Sequence, residues 1–491
     1  MSKKTSNSSD GKLARYSISS LGIVFLMYCL VAPGAFGIEE IIPAVGPGLT
    51  LALLCAFPII WALPISSLVS ECCSLLPEEG GVYVWAREAF GEFWGFQSGW
   101  WNTVAIYVSC GTYTSLAASY VGQVLALSDV GIIVLKVAII VFFTAVNLLG
   151  LKDVERVSDV FSIAIIVVFL VITIVGFINW QANPFTPFLA SDTAGFDIGT
   201  GLSLCVWMYC GYECIATLSG EIEDKRVISR GLKLAMPLIA LSYLLPTLAA
   251  LGSLPQGSWE LWTVESGVDG EGVGYASVLT SFLGQTGGLV FIFVAFVSQC
   301  ALFNAYLASG SRGFFVLAED RLFFPSIGKL SKKHGVPYIA VLSLAITALI
   351  FSQFEFTMLV EMEVFFILAL YILLPLVVVR LRKKYPLEKR EQEGSYAIGF
   401  GKPGLMCAVA LPMVISVFVL ASNGVWYLIG GFIAIATGPV CYVIFKRKYG
   451  GIGAGTGRFR LEEGDVKRIA TLLGVAAGIV LLGLVWTLIF G

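Results

Sequence analysis

The chain has 491 residues, of which 57% are hydrophobic and only 13% charged, with a mean hydropathy of +0.87. A soluble domain carries about 25% charged residues, so the composition excludes a water-soluble globule and predicts an all-α polytopic membrane protein. The formal net charge of -2 says little about partners, because the charges are segregated by side; the lipid bilayer is the expected surrounding, and no nucleic-acid partner is expected.

Crossing a bilayer takes about 20 apolar residues. Thirteen such spans can be placed, at about 19–46, 49–75, 92–124, 130–150, 158–180, 198–219, 231–253, 276–308, 337–353, 357–380, 404–422, 425–445 and 468–490. Residues 1–16, rich in Ser and Lys, read as a cytoplasmic tail. The apolar run that follows is too long for a secretory leader and lacks a small-residue cleavage site, so it reads as a retained first span. Lys and Arg fall in the tail or beside the loops after even-numbered spans, from Arg87 to the run Lys446–Arg468; Lys136, inside span four, is the exception. The positive-inside rule then predicts a cytoplasmic N-terminus and, from the odd count, an external C-terminus, in the plasma or inner membrane.

Span one is interrupted by Val31-Ala-Pro-Gly-Ala-Phe-Gly-Ile-Glu-Glu40. Pro33, Gly34 and Gly37 should break the helix there, since proline removes an amide donor and glycine lets the backbone turn. Unpaired backbone at membrane depth is tolerated only where it lines a cavity, so Ala32, Gly34, Ala35, Phe36 and Gly37 are substrate-site candidates. Glu39 and Glu40 follow directly. Neighbouring helical residues face different ways, so at most one of the two should point inward.

Span six repeats the device in Trp207-Met-Tyr-Cys-Gly-Tyr-Glu-Cys214, with Gly211 and Glu213 at mid-span. Two interrupted spans five apart predict inverted repeats with a site between them, on placement alone: 17–180 and 198–385, followed by spans eleven and twelve (403–447) and span thirteen (467–491). Trp207, Tyr209 and Tyr212 are candidates to close over a cation by cation–π contact or to serve as core. Cys210 and Cys214 share an i, i+4 spacing that could hold a metal, but without His or further ligands they read as small-residue packing. All eleven cysteines fall in spans, so no disulfide framework is implied. The lone histidine, His334, lies in a cytoplasmic loop, which argues against His-ligated zinc and a histidine relay in the membrane. Gly450 to Gly457 lacks the Lys-Ser/Thr of a phosphate loop and follows a helix, so it reads as a linker.

Residues 57–100 carry Phe57-Pro58, Ile60-Trp61, Pro64, Glu71, Pro77-Glu78, Gly80-Gly81, Trp85, Phe93-Trp-Gly-Phe-Gln97, Gly99 and Trp100. This pattern resembles the amino acid–polyamine–organocation superfamily, nearest its polyamine and amino acid uptake permeases. The span-one Gly-x-Phe-Gly followed by Glu, the span-six Trp207, Glu213, Thr217, Gly220 and Glu221, and Glu361 at span ten extend the likeness over about 15–385. The resemblance implies a five-plus-five inverted-repeat fold with broken first and sixth helices. It also departs in places. Asn102 and Ser109-Cys110 stand in span three where the group often carries charge, Asn304 replaces an expected acid in span eight, and span thirteen exceeds the usual twelve.

Acids without nearby bases favour a cation: Glu39, Glu40, Glu213, Glu361 and Glu363 could hold an ammonium by charge-assisted hydrogen bonds, while backbone amides at Gly34 to Gly37 could hold a carboxylate. Low dielectric disfavours an ionised carboxyl, so Glu213 and Glu39 are the candidates to carry a coupling proton. Sodium coupling through Ser298, Ser309 and span-one carbonyls is the alternative; no other cofactor is expected. Glu71 and Glu221 are cytoplasmic gate candidates, with Glu78, Glu79, Arg87, Glu223, Asp224, Lys225 and Arg226 around them. The expectation is a secondary transporter, not an enzyme, importing a cationic amine, polyamine or amino acid with protons. The alternative is an exchanger of amino acid against amine; a sensor or channel is a more distant reading, and the oligomeric state is left open.

Overall fold

The computed structural model describes residues 20–31, 35–77, 80–149, 154–190, 196–218, 226–263, 274–331, 335–386, 396–452 and 463–490. Helix falls on each of the thirteen segments. Among the described residues, eight helices are long and apolar enough to cross a membrane: Pro47–Leu75, Asp129–Leu148, Val227–Ser253, Tyr275–Glu319, Phe356–Lys384, Gly401–Ser422, Gly424–Tyr449 and Gly464–Leu488. The others have local reasons for falling short. Spans one and six are split into short pieces, Ser20–Val31 with Ile41–Val45 and Ile198–Met208 with Ile215–Leu218. Span three, Glu92–Val124, is long but rich in Ser, Thr and Gly. The apolar parts of spans five and nine are Ser162–Ile178 and Tyr338–Phe351.

Span three runs through the middle of the bundle, against spans eight, nine and ten. Its closeness to span eight depends on small residues. A Cβ on Gly310 would sit 2.4 Å from Ile106, and one on Gly313 2.3 Å from Thr103, the small-residue packing that lets membrane helices approach. Span two bends through a π turn at Pro58–Ala62, where proline interrupts the hydrogen-bond ladder and Trp61 is turned fully inward. Span eight, expected to end near 308, continues as helix to Glu319. Polar residues from Ser309 onward end the apolar run without ending the helix, because no proline or turn signal stops it.

On the opposite end from the basic loops, residues 181–190 lie over the bundle. Gln181 and Ala182 donate to the Gly252 carbonyl at 2.8 and 2.9 Å, and Ala190 donates to Val45 at 2.9 Å. Span thirteen, Glu463–Phe490, lies against spans eleven and twelve. It is anchored by buried Lys446, which reaches Glu92 at 2.8 Å and Asp465 at 3.1 Å.

Candidate functional site

The two breaks share one backbone device. Gly37 has φ +93° and Gly211 φ +96°, left-handed values that only glycine adopts freely. Each glycine opens a single 3₁₀ turn, Ile38–Glu40 and Tyr212–Cys214, and each turn carries a buried glutamate two residues on: Glu39 is 1% exposed and Glu213 6%.

The carboxylates then diverge. Glu39 folds back on its own turn, where Oε2 accepts from the Gly37 N–H at 2.9 Å and Oε1 is 3.5 Å from the Tyr120 hydroxyl. Phe36 holds this turn among Tyr120, Phe169 and Phe291, with ring centroids 4.9 to 5.7 Å away. Glu213 reaches across the bundle instead, accepting a hydrogen bond from the Tyr371 hydroxyl of span ten. Glu363, one of the acids read from the sequence, joins it from the same helix. It is 1% exposed, accepts from Trp207 Nε1 at 3.2 Å, and lies near Ser109 and Glu213.

Trp207 connects the two halves. Its ring meets Phe356 edge-on at 5.4 Å and lies 6.1 Å from Tyr113. A Cβ on Gly37 would sit 2.9 Å from Phe356 and 3.2 Å from Trp207, so the first break can approach the second only as glycine. Tyr243 of span seven adds a second tie: its hydroxyl is 2.9 Å from the Met208 carbonyl and 3.2 Å from that of Val31. Both are carbonyls at helix ends, which lack intrahelical partners.

The remaining candidates fall elsewhere. Glu40 is half-buried and accepts from Thr263 at 2.8 Å. Tyr209 turns toward spans two and seven, donating to Leu54 O at 3.1 Å and packing on Tyr243; it is core. Tyr212 is fully buried and its hydroxyl has no hydrogen-bond partner among the described residues. Cys210 donates to the Trp207 carbonyl at 3.0 Å, a packing arrangement. Asn102 is half-buried two turns along span three from Ser109. Asn304 faces span four, accepting from Asn147 at 2.7 Å. Glu361 faces Thr200, which donates at 2.9 Å; two helical positions turn the chain by about 200°, so Glu361 and Glu363 cannot share a face. Ser309 bonds its own helix at Tyr306 O, 3.4 Å away, and Ser298 is buried. Ala32, Pro33, Gly34, Glu78, Glu79, Glu221, Glu223, Asp224, Lys225 and His334 lie outside the described residues, as does the side chain of Arg226.

Toward the basic end, Glu71 is clasped by Arg382 at 2.7 and 2.6 Å and receives the Ile398 N–H at 3.0 Å. Arg87 pairs with Asp320 at 2.6 Å, and Glu88 takes hydrogen bonds from Lys384 and from the Tyr385 hydroxyl, the latter at 2.6 Å. These hydrogen bonds hold the Glu88 carboxyl below its ordinary value. Residues 18–444 match the model of the amino acid permease family.

The chain belongs to the amino acid permease family. Among its relatives, a probable polyamine transporter of Arabidopsis thaliana is 26% identical over 438 residues, covering 88% of this chain and 87% of the relative. A polyamine transporter of rice, Oryza sativa subsp. japonica, is 25% identical over 437 residues, with 86% and 77% covered. The crystal structure of MhsT in complex with L-phenylalanine matches with a TM-score of 0.58 at 12% identity, over 83% of this chain and 99% of that one. The permease therefore has the inverted-repeat transporter fold with broken first and sixth helices, and it is a multi-span membrane transporter, not an enzyme.

Proposed function

We propose that this permease imports a cationic amine, either a polyamine or an amino acid held through its ammonium, with a proton as co-substrate. The observation that carries the reading is a pair of neighbouring buried carboxylates, Glu213 and Glu363, with a third, Glu39, buried at the first break, and no basic partner for any of them among the described residues. A lone buried charge costs several kcal/mol, and an ammonium lying between Glu213 and Glu363 would offset that cost with charge-assisted hydrogen bonds. Trp207 and Tyr113 supply aromatic faces beside it. The polyamine relatives support a cation. Glu363 restores, from span ten, an acid that Ser109-Cys110 does not bring in span three.

A buried carboxyl can take up a proton, and Glu213, bonded across the bundle to Tyr371, is the residue assigned to carry one inward together with the substrate. Residues 17–180 and 198–385 act as the two inverted repeats. The N-terminus is cytoplasmic, and the ion pairs of Glu71, Arg87 and Glu88 close the inner side. The test is uptake of radiolabelled mono-, di- and polyamines and amino acids into proteoliposomes. Accumulation driven by an inside-alkaline gradient and abolished by a protonophore supports the reading. Equal counterflow without any gradient would make the protein an exchanger.

A further inference from the structure

Span thirteen lies beyond residue 444, where the family match ends, and it builds a feature of its own. Between it and spans three, ten, eleven and twelve runs a groove of about 280 Å³, lined by apolar side chains except for Thr471. Along span thirteen the groove extends from Thr471 to Val480, nine residues or about 14 Å of helix. Phe90 and Trp94 flank its end nearest the basic loops, while Leu376 and Val475, 40% and 54% exposed, lie at its open side. The helices that run along it are spans three, ten, eleven, twelve and thirteen, so that open side faces hydrocarbon rather than water. Water does not stably fill an apolar space of this size, and an empty one forfeits the dispersion contacts of its walls.

Among the described residues, the most exposed charge beside the mouth is the positive one of Arg468. Arg468 stands one turn before Thr471 and Leu472 on the same helix face, and its guanidinium lies 3.8 Å from where a Cβ on Gly91 would be, beside Phe90. The anions around it, Glu92 and Asp465, are occupied by Lys446 at 2.8 and 3.1 Å. Arg468 meets Asp465 only at 3.4 Å and is 39% exposed, so several of its five N–H donors face outward.

We propose that the groove is a phospholipid site: one acyl chain lies against span thirteen, and Arg468 binds the lipid phosphate. The site is independent of what the permease transports.

Trp94 and Trp101 line the groove, whereas Trp426 is 82% exposed and samples bulk lipid. The experiment uses the full chain in vesicles with rising fractions of acyl-brominated phosphatidylglycerol or phosphatidylcholine. The groove signal is the difference between wild type and the Trp94→Phe/Trp101→Phe variant; the bulk signal is the difference from Trp426→Phe. Groove quenching should saturate at a lower brominated fraction than bulk quenching, and at a lower fraction for phosphatidylglycerol. Arg468→Gln should remove that headgroup preference, about fivefold for one basic group near the surface. Ala476→Phe should abolish the saturable component, with Ala369→Leu filling the groove from the opposite wall should the first variant fail to fold. Groove quenching that rises in step with Trp426 overturns the proposal, as does saturation that survives the filled groove. A cross-link placing a second copy of the chain in the groove overturns it too.

Discussion

The two breaks begin with the same three-residue phrase, glycine, an apolar or aromatic residue, then glutamate, and they end in different chemistry. Gly37-Ile38-Glu39 is self-contained: its carboxylate caps its own amide, inside a cage of aromatic rings from spans three, five and eight. Gly211-Tyr212-Glu213 is cross-linked: its carboxylate is held by span ten, next to Glu363. The backbone device is local and repeats with the sequence. What each acid does depends on which helix faces it, and the second break is the one tied to span ten.

This contrast can be broken from either side. The largest effect should come from Glu213→Gln and Glu363→Gln, each of which removes one of the two neighbouring buried carboxylates. By the cost of breaking a buried charge pair, roughly 2–5 kcal/mol, amine uptake should fall about a hundredfold or more. Initial-rate uptake checks this, and a variant retaining wild-type kcat/KM contradicts it. Glu39→Gln should cost less, about tenfold, because the amide oxygen of glutamine still accepts from Gly37 N–H and only the charge is lost. Glu39→Ala, which loses the cap as well, should also lower the melting temperature. Equal losses for Glu39→Gln and Glu39→Ala would erase the distinction between the two breaks.

Tyr243→Phe tests the tie between them. It leaves two helix-end carbonyls without this donor, at about 1–3 kcal/mol, read as a drop in melting temperature with amine binding retained. The smallest effect concerns the basic end. Glu88 has a lowered carboxyl value, so its contribution is present above the ordinary carboxylate range, near 4.3, and is lost as pH falls through the lowered value. Glu88→Gln should therefore give a constant small loss of stability between pH 6 and 8, and its difference from wild type should vanish only in strong acid. A difference that varied between pH 6 and 8 would contradict this assignment.

Much of this was legible in the sequence because it rests on short-range physics. Apolar length gives the spans, and glycine beside an acid at membrane depth marks the breaks at Gly37 and Gly211. Facing direction was less legible. Glu39 and Glu40, or Glu361 and Glu363, differ in composition by nothing, and the helix phase that turns Glu363 inward and Glu361 toward Thr200 is fixed by packing against spans three and six. Tyr371 and Tyr243 left no signal, since an aromatic residue in an apolar run reads as core until the acceptor opposite it is known. Asn304 illustrates the converse. A polar residue in a span suggests a ligand, yet its partner is Asn147 on the neighbouring helix, and two part-buried amides hydrogen-bonded between helices is the ordinary solution in a membrane.

The central claim is that the carboxylates of Glu213 and Glu363 hold the substrate's ammonium. Equilibrium binding of the best-transported amine to purified wild type, Glu213→Gln and Glu363→Gln, measured at pH 6 and pH 8, tests it most directly. The predicted result is affinity weakened by about two orders of magnitude in both variants, or roughly 2.7 kcal/mol, with the pH dependence of binding reduced in Glu213→Gln. Wild-type affinity in either variant at both pH values would contradict the account.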